Sequence, residues 1–252
     1  MRLIAALVAL FGLSIASSMD AHNTPKYPEK SSSRGFHLIA NVTDWYPRHL
    51  ANKVHGQPIE AIFLGQLNYI LGIEKGLSRI FYQNGTDRDL KYGEVGIVSD
   101  GGAWPVVPYG MWVRREILTR HIKYSLRLNP GIGHLGLSIS RAPSPYAVLE
   151  LEMLAVCKEP IGHRGFAHAM IMRSFQDPNT DRDETQIPKE CVPVRLIPQC
   201  TPLMPVSHHD MANHAFVQRV DCYKNVSAID WTKYAPFPGS MDFDRDVKRA
   251  DG

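Results

Sequence analysis

Short segments rich in β-branched and aromatic residues recur along this 252-residue chain, at 35–43 (GFHLIANVT), 69–73, 79–82, 94–99, 122–128, 134–140 and 147–156, and glycine, proline, asparagine or aspartate punctuates them throughout. Segments of this length bury a face only by pairing edge to edge. The pattern therefore predicts a mainly β protein, an antiparallel β-sandwich or barrel-like single domain with few short helices. Eighteen prolines, many of them after Pro188, argue against long helices, because each removes a backbone donor and fixes φ. The alternation is cleanest at 122–140. There Ile122, Tyr124, Leu126 and Leu128 alternate with polar residues, Asn129-Pro130-Gly131 reads as a turn, and Leu135, Leu137 and Ile139 alternate again, which predicts a β-hairpin. Residues 60–76 (EAIFLGQLNYILGIEKG) fit helical and strand spacing alike, although Gly65 and Gly72 disfavour the helix.

At the N-terminus, Arg2 precedes an apolar run from Leu3 to Leu13 and then the small residues Ser14, Ala16, Ser17 and Ser18. Charge, apolar stretch and small residues in that order make a secretory signal. The run is about half the ~20 residues that a membrane span needs, and no later stretch is long enough, so no membrane insertion is expected after cleavage. The expected organisation is a signal peptide at 1–18, a flexible N-terminal arm at 19–34, a single β-rich domain at 35–235 and a flexible charged tail at 236–252. Lysine and arginine number 28 against 25 acidic residues, a net charge of +3 with no clustered basic face, so nucleic acid is not an expected partner.

Four cysteines, Cys157, Cys191, Cys200 and Cys222, all follow the signal, and an even count in an exported chain implies two disulfides. Zinc is disfavoured by the absence of a C-x-x-C pair. Cys191 and Cys200 flank Val192-Pro193-Val194-Arg195-Leu196-Ile197-Pro198, an alternating segment held extended by two prolines. At ~3.3 Å per residue its ends lie roughly 30 Å apart, whereas bonded cysteines need their Cα atoms within about 7 Å. Each of the two is therefore expected to bond a distant partner, Cys157 or Cys222, with the choice left open. Sequons at Asn41, Asn84 and Asn225 are acceptors for N-linked sugar in a eukaryotic secretory pathway, with Asn84 expected first because the turn dipeptide Asn84-Gly85 should hold it at the surface.

No motif carries an activity outright. Gly131-Ile132-Gly133-His134-Leu135-Gly136 spells a dinucleotide fingerprint but falls in the expected hairpin, where no helix follows to face a pyrophosphate, so no cofactor is expected. Asp177, Asn179, Asp181 and Asp183 match the first oxygen positions of a calcium loop. Arg182 then replaces its glycine and Pro188 its closing glutamate, leaving a weak metal candidate. His163, His168, His208, His209 and His214 lack the spacing of a zinc helix. No serine sits in G-x-S-x-G. Asp44, Asp100, Glu150 and Glu152 are the dispersed carboxylates from which a carbohydrate-active hydrolase would have to draw a pair.

Residues 35–44 (GFHLIANVTD), 79–86 (RIFYQNGT) and the paired cysteines of 191–200 resemble a family of secreted proteins of unknown function from filamentous ascomycete fungi, over about Gly35 to Cys200. The resemblance implies a fungal, exported, β-rich protein and transfers no catalytic residue. The reading is a secreted extracellular or cell-wall glycoprotein, non-enzymatic, wall-associated or effector-like, with a cell-wall polysaccharide or host surface component as partner; the alternative is the secreted hydrolase. N-terminal sequencing of exported material should begin at or within a residue or two of Met19, and recovery of Met1 would refute the signal.

Overall fold

A computed structural model describes residues 25–65, 68–74, 78–101, 104–116, 123–161, 167–175 and 187–237. In chain order these form β1 (Ser31–Ser33), β2 (Gly35–Val42), α1 (Arg48–Val54), β3 (Glu60–Phe63), β4 (Tyr69–Ile73), β5 (Tyr82–Asn84), α2 (Asp87–Tyr92), β6 (Gly96–Gly101), β7 (Val107–Arg115), β8 (Tyr124–Pro130), β9 (Leu154–Ile161), β10 (Ala167–Ser174), β11 (Cys191–Thr201) and β12 (Val220–Cys222).

The main sheet runs β2-β11-β9-β10-β4-β8-β7-β6-β5, with β3 added on β4, and its ladders are antiparallel. Its ends nearly meet. Phe36 at the start of β2 exchanges both backbone hydrogen bonds with Phe81, just before β5, at 2.9 and 2.8 Å. The result is an almost closed antiparallel barrel, the second of the two architectures that the sequence allowed. Inward positions alternate as the pleat demands: Leu38 of β2, Leu71 of β4, Met111 of β7, Leu126 and Leu128 of β8, Val156 of β9, Met172 of β10 and Leu196 of β11 join one core. Full burial of such side chains contributes roughly 1.5–3 kcal/mol each.

One local choice is resolved and one expectation changes. The described part of 60–76 forms the strands β3 and β4, as its glycines favoured, and no helix. Gly72 of β4 lies so close to β10 that a Cβ there would stand 2.3 Å from the Met170 carbonyl oxygen. The expected hairpin fails in its second arm, for β8 pairs with β7, β4 and β10 and no strand forms at 134–140. Gly131, Gly133 and Gly136 take φ of 116°, 86° and 92°, which breaks extension. The chain instead folds over the β6–β7 edge, where the His134 N–H donates to the Met111 carbonyl (2.7 Å) and that of Gly136 to Val95 (2.9 Å). Leu137 and Ile139 still reach the core while Leu135 is exposed, so two of the three apolar positions were read correctly and the ladder was not.

The segment before Gly35 is engaged as far as it is described. Ser31–Ser33 pairs with β12, Lys30 bridges to Asp221 at 2.7 Å, and Tyr27 meets Tyr146 edge to face with centroids 5.4 Å apart. Disulfides lock the framework. Cys157–Cys191 joins paired positions of β9 and β11, and Cys200–Cys222 joins β11 to β12, with Cα separations of 4.3 and 5.2 Å.

On the outer face a charge network spans four strands. Arg173 of β10 donates to both oxygens of Glu159 on β9 and to Glu116 beyond β7, while Lys123 reaches Glu159 and Arg127 of β8 reaches Glu116. Burial by itself would raise both carboxyls. Hydrogen bonds and charge, from Arg173 and then Lys123 at Glu159, and from Ser125, Arg127 and Arg173 at Glu116, outweigh it and hold both below the ordinary glutamate range.

Arg173→Ala should therefore destabilise the fold by about 3 kcal/mol, as expected on breaking a buried pair. Because the folded pKa values are depressed, the network's stability is fully present above the ordinary value of 4.5 and is lost as pH falls through the folded values. Denaturant titrations from pH 7 downward should show this fall in the wild type and a smaller one in the variant. Replacing Cys200 and Cys222 together by alanine should cost about 2–4 kcal/mol in the same assay.

Candidate functional site

The strands at the seam of the barrel carry polar groups into its wall. Arg79 enters just before β5, where its carbonyl accepts a hydrogen bond from His37 Nδ1 at 2.9 Å. Its guanidinium donates to Ser99 Oγ (3.2 Å) and to the Asp100 carbonyl (3.1 Å) on β6, and Ser99 in turn donates to the Ile80 carbonyl at 2.6 Å. Asp100, one residue further, accepts from Tyr82 on one carboxylate oxygen (2.9 Å) and from His214 Nε2 on the other (2.8 Å). The His214 and Tyr82 rings meet edge to face with centroids 4.9 Å apart. This places a loop residue far along the chain against the barrel seam. Arg34 holds the same loop by donating to the His214 carbonyl.

Beside this relay lies a cleft of about 290 Å³, lined by Glu60, Ser78, Arg79, Ile80, Asp100, Leu203 and Met204. Glu60 Oε1 and Ser78 Oγ are buried with no hydrogen-bond partner among the described residues. Burial raises the Glu60 carboxyl above its ordinary range, opposed by the charge and backbone N–H of Arg79 and reinforced by Glu74. Burial likewise lowers Arg79, with Glu60 the first opposing charge. Burial pushes Tyr82 upward, and the Asp100 charge adds to it, so Tyr82 stays a proton donor. The cleft therefore offers a carboxyl inclined to hold its proton, a free hydroxyl and a fixed guanidinium, a set suited to hydrogen-bonding a hydroxyl-bearing ligand.

Of the four carboxylates that the sequence singled out, Asp100 alone lines this cleft. Asp44 accepts from the Tyr46 N–H at 3.1 Å, Glu150 accepts from Ser138, and Glu152 lies in the field of Arg195. Asp177, Asn179, Asp181, Asp183 and His163 lie outside the described residues, as does the signal segment. Among the described residues, no three groups of the ligand types histidine, cysteine, aspartate and glutamate converge. The His208 and His209 rings lie 3.8 Å apart and tilted by 45°, and His214 is taken by Asp100. The sequons differ in setting. Asn41 on β2 is 7 % exposed, Asn84 ends β5 half-buried with its amide oxygen buried and unpartnered, and Asn225 is exposed before a 3-10 turn. Thr86 of the second sequon also caps α2, donor and acceptor with Asp89.

Sequence reading missed Glu60, Ser78, Arg79 and Tyr82 as a group, because Glu60 and the stretch 78–82 are separate segments that only the tertiary fold brings together. One signal was available, the charge of Arg79 beside the strand-forming Ile80-Phe81-Tyr82.

Comparison with known proteins adds three findings. The model of a family described as a domain of unknown function, DUF7907, matches residues 33–200, which spans β2 to all but the last residue of β11 and leaves His214 outside. An antigenic protein of Stachybotrys chartarum, SchS34, is 35 % identical over 215 residues, 84 % of this chain and 96 % of that protein. No solved structure matches.

Asp100→Ala should leave Tyr82 and His214 without their shared acceptor, lowering stability by about 1–3 kcal/mol. Hydrogen exchange should quicken at residues 204–217 more than in the barrel strands. Uniform exchange changes would show that Asp100 does not anchor the loop.

Proposed function

Since this chain belongs to the DUF7907 family, we propose that it is an exported extracellular glycoprotein of a fungus, working without catalysis, wall-associated or effector-like, with a polysaccharide or host surface component as its partner. The observation that carries this reading is the pair of disulfides meeting on β11, which ties three strands covalently and forms in an oxidising compartment. The antigenic relative is consistent with the same placement. Sugar is proposed first at Asn225, the exposed sequon, in place of the Asn84 that turn chemistry favoured, because Asn84 is half-buried with its amide oxygen enclosed and the Asn41 side chain is nearly enclosed by the sheet.

Expression of the full chain in a eukaryotic secretory host tests the proposal. The protein should appear in the medium, an amidase that removes N-glycans should lower its apparent mass, and Asn225→Gln should abolish part or all of that shift. Retention in the cell as an unprocessed, unglycosylated chain would overturn the reading.

One observation favours a second reading, a secreted hydrolase. Glu60, raised by burial, and Asp100 line the same cleft, and a pair of carboxyls is what such a hydrolase draws on. If this holds, a glycan substrate panel will show turnover that Glu60→Gln lowers by about 10²-fold or more. Absence of turnover across the panel leaves the non-enzymatic proposal.

A further inference from the structure

Leu50, Ala51 and Val54 of α1 are buried in the core, and the helix packs against β2 and β11. Between that helix and β3, β4, β9 and β10 lies a second and larger concavity, about 960 Å³. That is near the upper end of the range of small-molecule sites. Its apolar wall comes from Leu50, Ile62, Ile73, Ile161, Ala169 and Met170.

Charge arranged around this wall narrows the class of ligand. Lys53, Lys158 and Lys189 line the groove, as do Glu74 and Glu190, so the lysines outnumber the carboxylates by one. None of the three lysines pairs with a carboxylate among the described residues. The contrast with Lys123, Arg127 and Arg173, all committed to the outer-face network, is sharp. A neutral sugar would leave these ammonium groups unused, and a small inorganic anion would leave the apolar wall wet. A ligand that uses both is an amphiphile with one negative head. Lysine suits such a head, since its ammonium is a point charge on a flexible stem and demands no fixed bidentate geometry.

We propose that this groove binds a free long-chain carboxylic acid, its acyl chain along the Ile73 and Met170 wall and its carboxylate among Lys53, Lys158 and Lys189. The site is separate from the Glu60 cleft, and the proposal goes beyond the export reading, which stands or falls on other measurements.

Fluorescence titration of the full, oxidised mature protein with cis-parinaric acid tests it. Saturable binding at one site per chain is expected, with displacement by palmitate. Myristate, two methylenes shorter, should displace roughly tenfold less well, because each buried methylene adds a nearly constant increment to affinity. Hexadecanol, which lacks the charge, should compete at least tenfold less well than palmitate. Lys158→Glu with Lys189→Glu should weaken palmitate at least tenfold and leave hexadecanol unchanged, while Ala169→Trp should weaken both by narrowing the groove. Lys158 is exposed, so Lys158→Glu alone keeps the test available if the double variant fails to fold, and should weaken palmitate several-fold. Four outcomes would overturn the proposal: no saturable binding, hexadecanol equal to palmitate, charge reversal without effect, or displacement by anionic phosphatidylglycerol vesicles or soluble glucan oligomers but not by palmitate.

Discussion

β11 stays extended for eleven residues, hydrogen-bonded to β2 over one stretch and to β9 over another, with a disulfide near each end. Pro193 and Pro198 fix φ within it, so the strand cannot fold back on itself, and the two cysteines it carries must reach outward. Cys191 takes β9 and Cys200 takes β12. Through β9 the strand holds the side of the barrel that carries the charge network, and through β12 it holds the segment that pairs with β1. β2, set against β11 over eight residue pairs, then presents Phe36 to Phe81 and brings the far edge of the sheet round. The seam so formed carries Arg79, Tyr82 and Asp100.

Much of this was legible because alternation and proline placement are local. The alternation and the two prolines between Cys191 and Cys200 showed an extended strand before any partner was known, and Leu126 and Leu128 marked the inward face of β8. The second arm of the expected hairpin was illegible for a definite reason. A glycine every second or third residue permits positive φ, and the alternation of Leu135, Leu137 and Ile139 cannot reveal that a looped backbone delivers Leu137 and Ile139 to the core and leaves Leu135 exposed. What decides is the close crossing of Gly110 and Gly133, where a Cβ on Gly110 would lie 2.0 Å from the Gly133 nitrogen. Such a crossing belongs to tertiary structure.

The polar sites were less legible still. Asp100 was named among four carboxylates with no means of choosing, since its partners Tyr82 and His214 stand 18 and 114 residues away. Glu60 heads an apolar segment and reads as a strand-end charge until burial and Arg79 give it a different proton affinity. The groove under α1 is composed of ordinary residues, and only their juxtaposition sets unpaired lysines around an apolar wall.

The pairing of β11 can be read directly by tryptic mapping under non-reducing conditions. Cleavage after Arg141, Lys158, Lys189, Arg195, Arg219 and Lys224 puts each cysteine on its own peptide. Two linked pairs are predicted, residues 142–158 with 190–195 and residues 196–219 with 220–224, which report Cys157–Cys191 and Cys200–Cys222. A linked pair joining 190–195 to 196–219 would mean that Cys191 bonds Cys200, and would contradict the extended β11 on which the barrel depends.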